Sequence, residues 1–163
     1  INRIRVIEAL EYNLPLISGS EDQFKQVIMN LISNAVESMT HTATKRLTIK
    51  TVSQPEKKAV VIQISDTGTG IEQETISRIF EPFFTTKKKG RGVGLGLSVV
   101  YGIIEAHGGK LFVDSTPGKG TCFTITLFQE IPSRVKQKKT GDIPGLSAME
   151  TRSCRTGEDK PAD

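Results

Sequence analysis

The chain has no tryptophan, and only two tyrosines, two cysteines and two histidines among its 163 residues. Each scarcity removes a class of explanation. Cys122 lies in a strand-like run and Cys154 in a polar stretch, with no CxxC pair and no histidine at ligand spacing, so neither a disulfide framework nor a zinc site is expected, and a cytoplasmic, reducing setting is. With so few aromatics and no basic helical face, the chain lacks the stacking platforms that nucleic-acid binders use, and no nucleic acid is expected as a partner. Apolar runs such as LSVVYGII fall far short of the roughly 20 residues that span a bilayer, and INRIRVIEAL has no basic-then-apolar signal pattern. No direct membrane contact is expected from this stretch. Its start at Ile rather than Met suggests a piece of a longer protein and leaves an upstream sensor or membrane anchor open.

What is present suffices for one core plus an appendage, given 36% hydrophobic residues. The net charge of +4 is local, because Lys87, Lys88, Lys89 and Arg91 crowd one glycine-rich segment, and Lys88 and Lys89 also fit a solvated loop. Residues 1–128 read as a domain. From residue 129 to 163 the pattern dissolves into Pro, Gly, Ser, Thr and mixed charge, which predicts a linker or disordered tail.

Within the domain, residues 4–10 and 14–17 read as short strands flanking a turn at Tyr12 and Asn13. Phe24, Val27, Ile28, Leu31, Ile32, Ala35, Val36 and Met39 recur at helical spacing, and Ser20 with Gln23 resembles a capping box, so a helix is predicted over about 21–39. RLTIKTVS and AVVIQISD, separated by QPEKK, predict a hairpin. ETISRIF predicts a short helix, and EPFFTTKKKGRG an irregular segment whose paired Phe83 and Phe84 anchor one end. LGLSVVYGIIEAH predicts a second buried helix stopped at Gly108 and Gly109, and KLFVDS with TCFTITLF a closing hairpin. Strands gathered around helices without regular βαβ alternation predict an α+β class: a two-layer α/β sandwich with a mixed, mostly antiparallel sheet of about five strands and helices on one face.

Candidate chemistry falls in four places. Gln26, Asn30 and Asn34 form a stripe beside the apolar face of the first helix. Spacing alone fits ordinary polar flanks, yet asparagine is a mediocre helix former, and amide oxygens can ligate Mg²⁺. Asp66 ends a strand before Gly68 and Gly70, where a carboxylate could accept a hydrogen bond from an exocyclic amine such as adenine N6; a plain β-turn fits the same letters. PFFTTKKKGRG has the makings of a lid, with Lys87 offering charge to a terminal phosphate. GRGVGLGLS excludes a P-loop, because Leu97 and Ser98 follow Gly96 where Lys and a hydroxyl are needed, and its GxGxG spacing at Gly92, Gly94 and Gly96 excludes the dinucleotide fingerprint. It would instead present backbone N–H groups at the start of the second helix.

In order, NLISNAVES, DTGTGI, IFEPFFTTK and GVGLGLS resemble the N box, first glycine box, F box and second glycine box of the sensor histidine kinase ATP-binding domain. That is the kinase branch of the superfamily that also holds gyrase, MutL and a heat-shock chaperone ATPase. PFFTTK with VYGIIEAHGG looks most like the nitrogen-regulation and hybrid kinases. The resemblance spans roughly residues 4–128. It implies ATP between the first helix and the lid, with Asn34 on Mg²⁺ and Asn30 near metal and phosphates. Asp66 would read adenine, and Lys87 with the Gly92, Val93, Gly94, Leu95, Gly96 backbone would steady the phosphates. Glu37, Gly68, Gly70, Ile71, Phe80, Thr85, Thr86, Leu97 and Thr121 would complete the nucleotide-binding set. Position 37, where many relatives carry Lys, is Glu37 here. Asn30 stands where the gyrase and MutL branches place a glutamate base, so fast hydrolysis is not expected. His41 and His107 lack the acidic context of a phosphoacceptor. The implied partners are therefore histidine-bearing dimerisation helices elsewhere in the same protein, with a dimer only at full length, and a response regulator receiver domain. A non-catalytic ATP-binding interaction module and a hydrolytic ATPase are the alternatives.

Overall fold

The computed structural model describes residues 3–86 and 93–130. Lys87 to Gly92 and residues 131–163 lie outside it, as do the tail prediction beyond position 130 and Cys154.

Among the described residues, five strands and two long helices carry the architecture. The elements run β1 (Arg5–Ala9), α1 (Glu21–Ser38), β2 (Arg46–Gln54), β3 (Ala59–Asp66), α2 (Gln73–Ile76), α3 (Gly96–Ala106), β4 (Lys110–Thr116) and β5 (Gly120–Phe128). The sheet order is β1-β2-β3-β5-β4, parallel between β1 and β2 and antiparallel elsewhere. This is the mixed α+β sheet read from the sequence.

Strand parity builds the core. On the helix-facing side, Ile49 pairs with Ile64, Ile64 with Phe123, and Phe123 with Val113, giving one apolar row across four strands. Ile62, Ile125 and Leu111 form the next. Val27, Leu31, Ala35 and Met39 of α1 and Val100, Ile103 and Ile104 of α3 close over these rows. Cutting Leu31, fully buried, to Ala would cost about 3 kcal/mol by the usual transfer and cavity terms.

The helices begin and end for local reasons. Ser20 caps α1, its Oγ accepting from the Gln23 amide at 3.4 Å, and Glu21 and Asp22 sit in the first turn, where the helix dipole favours anions. The ends of the two helices meet at His107. Its Nε2 accepts from the Ser20 amide at 3.3 Å and its Nδ1 lies 2.8 Å from the Ile103 carbonyl, a pairing satisfied by the neutral Nδ1–H tautomer. His107 is thus a structural joint, and its ring also packs on Phe24 at 4.6 Å.

Three predicted features differ. Residues 14–17 form no strand, since Pro15 has no N–H for a ladder and Leu16 is exposed; Glu11 instead ties the segment to β2 through Thr51 and the Ser53 amide. The helix expected over ETISRIF is a single turn, Gln73–Ile76, continued by isolated i+3 turns at Arg78 and Glu81 ahead of Pro82. Of the two phenylalanines expected to anchor the irregular segment, only Phe84 packs on the core, while Phe83 is 71% exposed.

Candidate functional site

The apolar rows of the sheet end in a polar one. Two residues beyond Ile64 on the same face comes Asp66, two before Phe123 comes Thr121, and two beyond Val113 comes Ser115, so alternation alone turns three polar groups toward the helices. All three are buried. Asp66 and Thr121, with Ser115 behind them, close one end of a cleft of about 960 Å³ whose other walls are α1, the start of α3 and the two arms 84–86 and 93–95.

At the closed end the Asp66 carboxylate accepts from the Gly68 amide at 2.7 Å and the Ser38 hydroxyl at 3.1 Å, and also from the Thr121 amide. Burial pushes its carboxyl above the ordinary value of 3.8, against the downward pull of those three hydrogen bonds. Such a carboxylate has lost water and gained only part of a replacement, which makes it a strong acceptor for an incoming N–H. The backbone is moulded tightly around it. Gly120 has φ +118, and a Cβ there would run into the Asp66 carbonyl. Ser115 holds the wall behind, its Oγ accepting from the Ile71 amide at 2.9 Å and contacting the Gly120 carbonyl and Thr121 Oγ1.

At the open end, Asn30 and Asn34 present their amides to the cleft from α1. The Asn30 amide nitrogen donates to the Gly96 carbonyl at 3.4 Å, bridging the two helices and leaving its oxygen as the hard donor on that side. α3 starts at Gly96 with no side-chain cap, and Leu95, Gly96 and Leu97 line the cleft, so the first-turn amides, which have no partner within the helix, and the positive end of the helix dipole border it. Phe83 donates its amide to the Gly94 carbonyl at 3.0 Å, closing the intervening loop at its base. There Gly94 takes φ +72 and Phe83, unusually for an aromatic, φ +66.

Among the described residues no group of three His, Cys, Asp or Glu could hold a metal. A cation here would rest on amide oxygens, which Asn30 and Asn34 can supply, and on phosphate oxygens of a nucleotide, a donor set that suits Mg²⁺.

Of the residues singled out in the sequence, the cleft gathers Asn30, Asn34, Glu37, Asp66, Gly70, Ile71, Thr85, Thr86, Val93, Gly94, Leu95, Gly96, Leu97 and Thr121. Gly68 stands behind Asp66, holding it. Phe80 does not line the cleft; it packs on the core and on Tyr101 at 5.5 Å, and Phe84 and Phe123 are the phenylalanines that reach the wall. Lys87 and Gly92 lie outside the described residues. Sequence reasoning missed Ser38, Ser115 and Phe84, and it left His41 unplaced, which borders the cleft. The parity of KLFVDS was the available signal for Ser115. Ser38, sitting four residues after Asn34, lies one turn further along the same stripe of α1.

The family model described as "Histidine kinase-, DNA gyrase B-, and HSP90-like ATPase" matches residues 19–131. The chain is 42% identical to the sensor kinase CckA of Brucella abortus over 75% of its own length and 14% of that protein's. It is 42% identical to sporulation kinase A of Bacillus subtilis over 78% of its length and 20% of that protein's. Relatives of this kind are thus several times longer than the chain. Its backbone is similar to the catalytic domain of histidine kinase ThkA, with a TM-score of 0.66 at 28% identity over 77% of this chain and 79% of that one. It is also similar to full-length ShkA in complex with AMPPNP, with a TM-score of 0.65 at 28% identity over 76% of this chain and 25% of that one.

Proposed function

The chain belongs to the histidine kinase-, DNA gyrase B- and HSP90-like ATPase family, as an ATP-binding catalytic module of the sensor histidine kinase kind, and on that premise we propose that it passes the ATP γ-phosphoryl group to a histidine on dimerisation helices outside this chain. The observation that carries the reading is the shared cleft: a buried acceptor, Asp66, at one end, and the Asn30–Asn34 stripe facing an uncapped helix start at the other. Asp66 receives the adenine 6-amino group. Asn34, with Asn30, holds Mg²⁺, whose charge offsets that of the phosphates. The first-turn amides of α3 and Lys87 steady the terminal phosphate, and transfer then requires positioning more than covalent chemistry from the protein.

Position 30 supports transfer over hydrolysis, because an amide at that place removes no proton from water. The receiving histidine is supplied by the protein's own helical pair, and a response regulator receiver domain takes the phosphoryl group onward in the cytoplasm. The test joins the module to its native upstream helices and follows label from γ-phosphate-labelled ATP. Acid-labile, base-stable label on a histidine is expected, absent in Asn34→Ala. Tight ATP binding without label would instead favour a non-catalytic module, for which Glu37 on the cleft wall is the motivating departure.

A further inference from the structure

Ser38 is the last residue of α1, and it touches the closed end of the cleft twice. Its hydroxyl lies 3.1 Å from Asp66 Oδ1, and its carbonyl accepts from the Thr69 amide at 3.2 Å. The two contacts straddle the Asp66–Thr69 turn, gripping it at both ends. Gly68, between them, is so close that a Cβ there would run into the Ser38 hydroxyl.

A simpler role is open to such a serine, since its hydroxyl also lies 2.8 Å from the Ala35 carbonyl, the back-bond a helical serine often makes. One hydroxyl proton faces two acceptors. The Ala35 carbonyl already accepts from the Met39 amide, whereas Asp66 is a buried carboxylate, and hydrogen bonds to ionised groups are the stronger. The proton is worth more on Asp66.

We propose that Ser38 is a positioning residue for adenine recognition: its hydroxyl and carbonyl together fix the direction in which Asp66 offers its acceptor to the cleft. This rests on Asp66 reading the 6-amino group, as above. Ser38 follows Asn34 by one helical turn, so the same turn of α1 sets the spacing between the amide assigned to the metal and the carboxylate assigned to the base. A small change in α1 is then felt at both ends of the nucleotide.

The decisive comparison uses ATP and purine riboside triphosphate, which lacks only the 6-amino group, titrated calorimetrically into this chain and its variants. The parent should prefer ATP. In Ser38→Ala that preference should shrink by about five- to tenfold, with the Kd of the purine analogue changed by less than about twofold, because the lost hydrogen bond acts through Asp66 on the amino group alone. Ser38→Cys, nearly isosteric with a weaker donor, should fall between, and it decides by the same comparison should the alanine variant not fold. Equal weakening of both nucleotides, or no change in either, overturns the role of Ser38 while leaving Asp66 as the reader. A parent that binds both nucleotides equally overturns the reading of Asp66, and the proposal with it.

Discussion

The two ends of the cleft are made from different materials. The closed end is built on sheet: strand parity delivers Asp66, Thr121 and Ser115, and the Gly68 amide with the hydroxyls of Ser38, Ser115 and Thr121 ties them together at 2.7–3.1 Å. The open end is helix and loop: amide side chains standing off α1, an uncapped helix start, and two arms joined at the Phe83–Gly94 bond. A sheet positions groups to within fractions of an ångström, because its ladder of hydrogen bonds and its packed face both resist movement. Loop arms admit alternative positions at small cost. The division suits a nucleotide whose base must be told from others and whose phosphates must be given up.

If that contrast is right, the closed end should tolerate substitution worst. Gly120→Val, which sets a branched side chain against the Asp66 carbonyl at φ +118, should lower unfolding free energy by about 3 kcal/mol or more in denaturant titration. Next comes Asp66→Asn, expected to weaken ATP binding by about 10- to 100-fold in calorimetry. Its stability should move the other way. The Asp66 pKa is raised by folding, so the stability linked to its proton is fully present below the ordinary value of 3.8 and is lost as pH rises through the folded value. Without nucleotide at neutral pH, Asp66→Asn should therefore melt no lower than the parent, and any advantage should vanish as pH falls below 3.8. A lower melting temperature at neutral pH would show that the carboxylate holds the fold together rather than being held by it.

The open end should give smaller and more selective effects. Asn34→Ala should remove the Mg²⁺-dependent part of ATP affinity, about tenfold, while binding measured in chelator stays within about twofold of the parent. Phe83→Gly should relieve the left-handed backbone and raise stability by at most about 1 kcal/mol, read as a shift of a few degrees in melting temperature, with little change in ATP affinity. A large loss of binding in this variant would mean that the loop base is as exacting as the sheet, and the contrast would fail.

Much of this molecule could be read before its structure was known. Periodicity located both long helices and all five described strands to within a residue or two, and their type follows from repetition over many positions. Reading failed where one residue overrode a pattern. Pro15 denied a ladder to LPLI, and Pro82 let ETISRIF form only one turn. The candidate site was legible only as an ordered set, since Asn34, Asp66 and GVGLG each fit a bland reading alone and point to one chemistry together, and its support was not legible. Ser38 and Ser115 carry ordinary letters in ordinary places, and only the pairing of strands and the end of a helix reveal what they hold. Phe83 and Phe84 are indistinguishable in sequence. The sign of one backbone dihedral sends the first into solvent and the second into the wall.

Because Asp66 faces inward by the same alternation that places Ile62 and Ile64, folding and recognition share a single error check. Were β3 to pair with β2 and β5 one residue out of step, its isoleucines would turn to the far face and its carboxylate would turn with them. No chain misregistered in this way could keep a sound core while losing the inward carboxylate, or the reverse. A cell that clears molecules with exposed apolar surface would, in doing so, also clear those whose Asp66 is turned out of the cleft.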